Sequence, residues 1–516
     1  MIRRFFTVGG FTLLSRITGF FRDVMMAAVL GAGPIADAFF VAFRLPNHFR
    51  AIFAEGAFAA AFVPAYARTL EQDGTRAARS FADRLALAMI VLQVMLLVVA
   101  LIYTPAVVRL LAPGLADDAS RFELAVALTR ITFPYLALIS IETLIAGTLN
   151  ANNRFASAAG APVLLNLAMI GTLTFAALFP TAGHAAAWGV LLAGILQLAL
   201  VAGDAEKNGF GLRLKLPKLD EPTRKFLKAL GPAILGAGGV QLALFADTII
   251  ATFLPAGALS ALYYADRIHQ LPIGVVGIAV GTVLLPEMAR RLAAGDEQGA
   301  ANSQGKAIEF ALLLAIPAAA ASLVLPDLIM RALFARGAFT AADAASAGQT
   351  LAAYATGLIP FVLMRSFIAP FHARGDTTTP VIAALTGAAL NIALKVALMT
   401  PLAQVGLALA TAAGAWLNLG LLMWFAKRRA FAKPGEATFG NSVRLIAAGI
   451  ALAVLLFFGV RFLAPYFAQM TMLRDELLLL ALAALGGATY FASIWLLLGR
   501  RWVRGLLRGA ESAAKP

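Results

Sequence analysis

Arginine and aspartate residues lie inside the first two apolar stretches of this chain, where a lipid environment would exclude them. The stretch at 5–30 carries Arg16, Arg22 and Asp23. The stretch at 35–66 carries Asp37, Arg44, Asn47, Arg50 and Glu55. A charge at the centre of a bilayer costs roughly 3 kcal/mol on insertion scales, so these side chains must face one another or a water-filled cavity. A guanidinium group binds phosphate oxygens two at a time and stays charged, so an arginine-lined cavity predicts an anionic cargo.

Helical spacing alone permits a simpler reading, in which the charges only pair and brace helices. Arg16 and Asp23 are seven residues apart and share a helical face, as do Asp37 and Arg44. The cations inside apolar stretches nevertheless outnumber the acids there, and the surplus favours an anion-binding cavity. The cations are Arg16, Arg22, Arg44, Arg50, Arg130, Arg267, Arg365 and Lys395, and the acids are Asp23, Asp37, Glu55, Glu142, Asp247 and Asp266.

The composition is that of a polytopic membrane protein. Hydrophobic residues make up 61% of the 516 residues and charged residues 13%, and the mean hydropathy is +0.83. Cysteine is absent, which excludes disulfides and thiolate metal sites. The sequence contains no phosphate-binding loop, nucleophile elbow or catalytic triad, so we expect a transporter without cofactor or metal. The net charge of +15 indicates cytoplasmic loops on anionic lipid, not nucleic-acid binding.

Fourteen apolar stretches are long enough to span a bilayer. Their predicted limits are 5–30, 35–66, 85–111, 122–149, 158–180, 185–204, 226–254, 258–288, 307–326, 345–371, 379–400, 404–426, 443–464 and 476–499. Most of the 42 lysines and arginines fall in alternate connections and in the two termini. The positive-inside rule therefore places both termini in the cytoplasm.

The first twelve spans read as two related halves, offset by about 223 residues. Ala42-Phe43-Arg44 corresponds to Ala265-Asp266-Arg267, and Asn166 corresponds to Asn391. Six spans per half give both halves one orientation, which predicts a pseudo-twofold axis along the membrane normal. The predicted division is an N-lobe at 1–204, a cytoplasmic linker at 205–225, a C-lobe at 226–428, and two charge-free spans with a basic tail at 429–516.

The run Ser15–Tyr66 resembles the N-terminal signature of the MurJ (MviN) family of bacterial lipid II flippases, within the multidrug/oligosaccharidyl-lipid/polysaccharide superfamily. The run Ala265–Pro286, the repeat and the number of spans are similar too, so the resemblance covers the chain end to end. It implies a flippase of the bacterial inner membrane whose cavity holds the pyrophosphate and sugar-peptide headgroup of lipid II. It also implies that spans 13 and 14 form a groove for the polyprenyl tail.

The resemblance assigns roles to particular residues. The arginines that match the family's required ones are Arg16, Arg22, Arg50 and Arg267, and Asp23 shares their site. We expect Asp37, Arg44, Asn47, Glu55, Asp266 and Arg365 to belong to the same substrate site. The expected partners are lipid II and membrane lipids, and we expect a monomer that works with the cell-wall synthesis machinery.

One departure from the family concerns ion coupling. Some members bind sodium with an aspartate in span 7 and an Asn-x-x-x-Asp pattern in span 11. Here Asp247 and Asn391 fit, but Lys395 stands where the second acid belongs. We therefore expect an Asp247–Lys395 ion pair, with Asn391 and Thr411 nearby, in place of a sodium site.

Other functions remain open on the residues alone. A drug/cation antiporter of the same superfamily would need acidic residues in the cavity, where arginines are in surplus. A flippase for O-antigen-type lipid-linked oligosaccharide differs only in its cargo. An enzyme acting on polyprenyl pyrophosphate would need clustered acids or histidines near a membrane face, which the sequence does not show.

Overall fold

The computed structural model describes residues 2–50, 57–431, 433–470 and 473–514. Within these ranges all regular structure is helical. The helices are α1 (Ile2–Leu30), α2 (Pro34–Arg50), α3 (Ala57–Ile102), α4 (Thr104–Leu111), α5 (Ala119–Thr132), α6 (Pro134–Ala151), α7 (Ala156–Thr174), α8 (Ala182–Lys207), α9 (Glu221–Thr252), α10 (Ala258–Ala293), α11 (Glu297–Val324), α12 (Pro326–Phe334), α13 (Ala341–Ala355), α14 (Leu358–His372), α15 (Thr378–Arg428), α16 (Glu436–Phe467) and α17 (Arg474–Ala514). The predicted all-α class is confirmed.

Prolines divide two of the predicted spans into pairs of helices. The span predicted at 85–111 ends at Ile102 and restarts as α4, with proline in its first turn. The span at 122–149 is interrupted at Phe133, and α6 begins at Pro134. Proline lacks the backbone N–H and crowds the preceding turn, so it fits the start of a helix and not its interior.

Three long helices, α3, α15 and α17, are each bent at a single residue, which is Gly499 in α17. In α3 the backbone of Gly74 has φ 80° and ψ 174°, so a helix at 57–73 meets a second one at 75–102. The loop predicted between spans 2 and 3 is therefore mostly helical. In α15 the bend is at Ala403, with φ 45° and ψ −128°, in the gap between the predicted spans 379–400 and 404–426.

In the described ranges, nine helical stretches are long and apolar enough to cross a membrane. One of them, Thr378–Arg428, is the bent α15 and contains two predicted spans. The helices α1, α2, α9 and α10 are not among the nine, and they carry many of the charges that the sequence places inside apolar stretches. The chain is thus a multi-pass membrane protein, and the number fourteen stays a prediction.

The first of two compact units comprises the chain up to Ser260 together with Arg336–Phe339. Its densest core is aromatic: Phe62 lies 5.3 Å from Phe58 and 5.9 Å from Phe81, between ring centroids. Phe226, in the second turn of α9, packs edge-on against Phe58 at 5.6 Å. The start of α9 is thereby fixed to α3.

The predicted cytoplasmic linker at 205–225 is tied to α3 by polar contacts. Asp83 accepts the backbone N–H of Arg213 at 2.8 Å and lies 3.4 Å from the Lys215 ammonium. Asp220 pairs with Arg84. Partial burial would raise the pKa of Asp220, but hydrogen bonds from Thr223 and the Arg84 charge lower that pKa overall.

The second unit comprises Ala261–Ala335 and Thr340 onward. Its core joins α10, α11 and α14 through buried residues such as Val276, Ala311 and Val362. The last two helices, α16 and α17, pack on each other and on α11, and Tyr490 donates its hydroxyl to the Leu313 carbonyl at 3.1 Å. The predicted lobe boundaries rest on the repeat and stay a prediction.

Candidate functional site

Arg22 and Asp23 form a buried ion pair that is extended by an amide. Arg22 Nη2 lies 2.7 Å from Asp23 Oδ1, and their side chains are 8% and 6% exposed. Arg22 Nη1 donates to Asn166 Oδ1 on α7 at 3.0 Å. Asn166 in turn donates to Thr18 Oγ1 at 3.0 Å and to the Ser15 carbonyl at 2.9 Å. The cluster joins α1 to α7, and its geometry is that of a helix brace.

Arg16 does not take part in this cluster. Helical spacing allowed a pair between Arg16 and Asp23, but the carboxylate faces Arg22 instead. Arg16 is exposed on α1, and among the described residues it has no hydrogen bond or ion pair.

Asp37 is completely buried and accepts four hydrogen bonds. The backbone N–H groups of Gly257 and Ser260 lie 2.7 and 2.9 Å from its oxygens, and the Ser260 hydroxyl lies 2.6 Å away. Arg121 of α5 donates from Nη2 at 3.1 Å. Since α10 begins at Ala258, the carboxylate of α2 caps the N-terminus of α10, where the helix dipole favours a negative charge.

The remaining predicted residues of α2 are only partly buried. Arg50 donates from Nε to Asn47 Oδ1 at 2.9 Å. Arg44 is half-buried, and no hydrogen bond or ion pair joins it to another described residue. Glu55 lies outside the described residues.

In the second unit, aromatic residues hold the arginine of α10. Arg267 Nη2 donates to the Tyr263 hydroxyl at 3.0 Å, and the guanidinium carbon lies 4.7 Å from the centroid of that ring. Asp266 accepts a hydrogen bond from Gln270, one turn later. His269 is 5% exposed and stacks on Tyr354 at 5.2 Å. Both Asp266 and Arg267 are half-buried.

Arg365, on α14, is the third arginine of the predicted site that has no protein partner among the described residues. It shares this state with Arg16 and Arg44. A cation in an apolar stretch must be solvated or must bind an anion, because leaving it unpaired in lipid is costly.

The predicted ion-coupling residues are spread over both units. Asp247 is half-buried in α9 of the first unit. Lys395 is 5% exposed in α15 of the second. One turn before it, Asn391 Oδ1 lies 3.5 Å from Thr411 Oγ1, at the outer limit of a hydrogen bond. Asn391 and Thr411 are thus neighbours, and their role in ion coupling and the Asp247–Lys395 pair stay predictions.

Several residues that organise the site were missed by sequence reasoning. Arg121 lies one residue before the predicted span 122–149, and Gly257 and Ser260 carry no charge. Asn166 could have been found from the sequence, because it corresponds in the predicted repeat to Asn391, which is predicted to lie in a polar site. Tyr263 could also have been found, because it stands one helical turn before Arg267.

Comparison with known proteins identifies the family. The family model described as "Lipid II flippase MurJ" matches residues 26–477. The protein named "Probable lipid II flippase MurJ" of Rhizobium meliloti (strain 1021) is 41% identical over 498 residues, which are 95% of this chain and 93% of that one. The "Lipid II flippase MurJ" of Burkholderia cenocepacia is 35% identical over 510 residues, 96% of this chain and 97% of its own.

Solved structures support the same fold. The structure titled "Lipid II flippase MurJ, inward closed conformation" superposes with a TM-score of 0.80 at 23% identity, over 97% of this chain and 99% of that one. An inward-facing multidrug resistance MATE family transporter gives a TM-score of 0.66 at 15% identity, over 80% of this chain and 94% of that one. At such identities the likeness shows the fold alone. The family model and the relatives together show that this chain belongs to the MurJ family of lipid II flippases.

Proposed function

We propose that this protein moves lipid II, the undecaprenyl-pyrophosphate-linked peptidoglycan precursor, from the cytoplasmic to the outer leaflet of the bacterial inner membrane. It works by alternating access, and an arginine-lined cavity holds the headgroup. The names of relatives that are 41% and 35% identical along nearly the whole chain support this cargo.

The observation that carries the proposal is the state of three arginines. Arg16, Arg44 and Arg365 lie in predicted spans without a hydrogen bond or ion pair to any described residue. A pyrophosphate offers each guanidinium two oxygens in the plane of its fork. The donors of these arginines are thus available to a doubly charged headgroup, because no carboxylate among the described residues pairs with them.

The paired charges receive a different role. We assign Asp37 to bracing, because its four protein donors leave its oxygens no capacity for cargo. We assign Arg22, Asp23 and Asn166 to fixing α1 against α7. The substrate-contacting residues of the proposal are then Arg16, Arg44, Arg50, Arg267 and Arg365.

The proposal is tested by complementation of a strain depleted of its own lipid II flippase. The wild-type chain should restore growth. A triple variant, Arg16→Gln, Arg44→Gln and Arg365→Gln, should fail while reaching the membrane in normal amounts. A matched control removes three exposed charges elsewhere: Lys218→Gln, Lys225→Gln and Lys228→Gln. Growth of the triple variant equal to that of this control would exclude the arginines as the headgroup site.

The relatedness to antiporters does not change the proposed cargo. The MATE transporter shares the fold at 15% identity, and a drug/cation antiporter needs carboxylates to exchange protons or cations. Three predicted site carboxylates are described: Asp37 is saturated, Asp23 is paired with arginine, and Asp266 accepts a hydrogen bond from Gln270. Reconstituted protein should therefore move labelled lipid II between leaflets and should not exchange organic cations for protons.

We propose that the Lys395 ammonium takes the place of a sodium ion, so that lipid II transport does not require sodium. The side chain is almost completely buried. It stands one helical turn after Asn391, whose Oδ1 lies 3.5 Å from Thr411 Oγ1. Lipid II transport in vesicles should be unchanged when choline replaces sodium, and a large loss of transport would contradict this. The control is potassium in place of sodium, which separates an ion requirement from an effect of choline.

Both termini are proposed to lie in the cytoplasm, on the strength of the basic connections. The chain has no cysteine, so one introduced cysteine reports its own side. Lys218→Cys is preferable to a change at Lys215, because Lys215 is bonded to Ser80 and Asp83. An impermeant maleimide should not label this cysteine in intact spheroplasts but should label it after lysis. Labelling before lysis would show that residue 218 lies outside the cytoplasm and would contradict the predicted topology.

A further inference from the structure

The last helix, α17, changes direction close to its C-terminal end. The apolar stretch runs from Arg474 to Arg500. At Gly499 the backbone has φ 78° and ψ 165°, a conformation that L side chains rarely adopt, so the chain does not continue straight. Helix resumes over residues 500–514, which we call the C-terminal segment.

A buried carboxylate fixes the start of the C-terminal segment. Trp502 Nε1 donates to Glu309 Oε2 on α11 at 2.6 Å. Asn441 Nδ2 on α16 donates to the other oxygen, Oε1, at 3.0 Å. Glu309 is 8% exposed, and each of its oxygens accepts one of these hydrogen bonds. Hydrogen bonds to a charged acceptor are the strong ones. The Trp502 bond fastens the segment to α11, and the Asn441 bond holds the same carboxylate against α16.

The sequence of the C-terminal segment has the spacing of an amphipathic helix. At 100° per residue, the basic positions fall within one third of the helix circumference. The apolar positions occupy a separate arc that begins opposite them at Trp502 and ends at Leu507, next to Arg500. The basic positions are Arg500, Arg501, Arg504 and Arg508, and the apolar ones are Trp502, Val503, Leu506, Leu507, Ala510, Ala513 and Ala514. With Glu511 as its single acid, the segment is strongly cationic.

We propose that the C-terminal segment lies flat on the bilayer surface and binds the phosphate headgroups of anionic phospholipids. The chemistry is that of an interfacial helix: apolar residues enter the headgroup boundary while arginines meet lipid phosphates. The bend at Gly499 turns the helix out of the membrane normal. The Trp502–Glu309 bond fixes its depth relative to α11. This role is separate from cargo transport and does not depend on it.

The test uses the full chain in nanodiscs, with one spin label introduced into a protein that has no cysteine. Ala510→Cys places the label at an apolar position of the segment, and Ser512→Cys places it at a polar one. Each is measured in phosphatidylcholine alone and in phosphatidylcholine mixed with phosphatidylglycerol. Collisions with oxygen report lipid, and collisions with nickel-EDDA report water.

Phosphatidylglycerol should shift the label at 510 toward oxygen and leave the label at 512 in water, and added salt should weaken the shift because it screens exposed charges. Arg501→Gln, Arg504→Gln and Arg508→Gln together should abolish the dependence on phosphatidylglycerol. The matched control, Lys427→Gln, Arg428→Gln and Lys433→Gln, should keep it. Identical collision rates in the two lipid mixtures, or a label at 510 that stays in water, would overturn the proposal.

Discussion

Arg44 of α2 and Arg267 of α10 occupy corresponding places in the internal repeat, yet their surroundings differ. Arg267 is held by the hydroxyl and the ring of Tyr263, one turn earlier in the helix. The residue one turn before Arg44 is Phe40, which is completely buried and has no hydroxyl to accept a hydrogen bond. Arg44 accordingly has no hydrogen bond or ion pair within the described part of the chain.

This difference separates two ways of keeping a cation in an apolar stretch. Arg267 is positioned by its aromatic neighbour Tyr263, which restricts the conformations in which it can bind a ligand. Arg44 has no such neighbour, and in our proposal it binds water or the anionic cargo. Arg22 represents a third arrangement, because its charge is neutralised inside the protein by Asp23. Arginine therefore has a different role at each of the three positions, and substitutions should distinguish these roles.

The largest effect is expected at Arg267. Arg267→Ala should abolish complementation while membrane expression stays near normal, because the change removes a headgroup donor from a half-buried position. Arg267→Lys should rescue poorly, since lysine keeps the charge but loses the planar fork. The readout is growth together with an immunoblot of membranes. Growth at the wild-type rate with Arg267→Ala would contradict the assignment.

Arg22 and Arg44 should differ in stability. Arg22→Ala leaves Asp23 buried without its counterion, which costs roughly 3–5 kcal/mol, so the melting temperature in detergent should fall clearly. Adding Asp23→Asn should recover much of the loss. Arg44→Ala removes a cation that has no partner among the described residues, so the melting temperature should stay the same or rise while transport declines. Equal destabilisation by the two alanine changes would remove the distinction between paired and unpaired arginines.

A smaller effect is expected from Tyr263→Phe, which gives α10 the residue that α2 already has at this place. The change removes one hydrogen bond to a charged group, typically about 1.5–3 kcal/mol, and keeps the ring for a cation–π contact. Transport of lipid II should fall several-fold and remain measurable, in a vesicle assay with initial rates. The control is Tyr354→Phe, a nearby ring that stacks on His269. A loss as complete as that of Arg267→Ala would mean that the hydroxyl, and not the guanidinium, contacts the cargo.

The sequence predicted the helical class well because hydropathy reports burial in lipid directly. It failed where single residues decide the path of the backbone. Phe133 and Pro134 divide one predicted span, and Gly74 separates two helices in a stretch that the sequence predicts as a loop. Apolar length is a property of twenty residues, whereas a bend depends on one, so a hydropathy scan does not detect it.

The sequence predicted which charged residues belong to the candidate site, but not which partners they bind. Helical spacing correctly drew attention to Arg22, Asp23 and Asp37 as unusual charges. It could not show that Asn166 of α7 would complete the first cluster, or that backbone groups at 257 and 260 would saturate Asp37. Those partners come from other helices and carry no charge, so no pattern within α1 or α2 contains them.

Because Asp37 accepts four hydrogen bonds from other segments, movement of α2 away from those segments would require new donors for its carboxylate. Its donors come from α5 and from the start of α10, while the carboxylate itself belongs to α2. If these segments separate, a charged group loses donors that only water or another polar group can replace. Any separation of α2 from the start of α10 therefore carries the free-energy cost of replacing hydrogen bonds to one buried charged group.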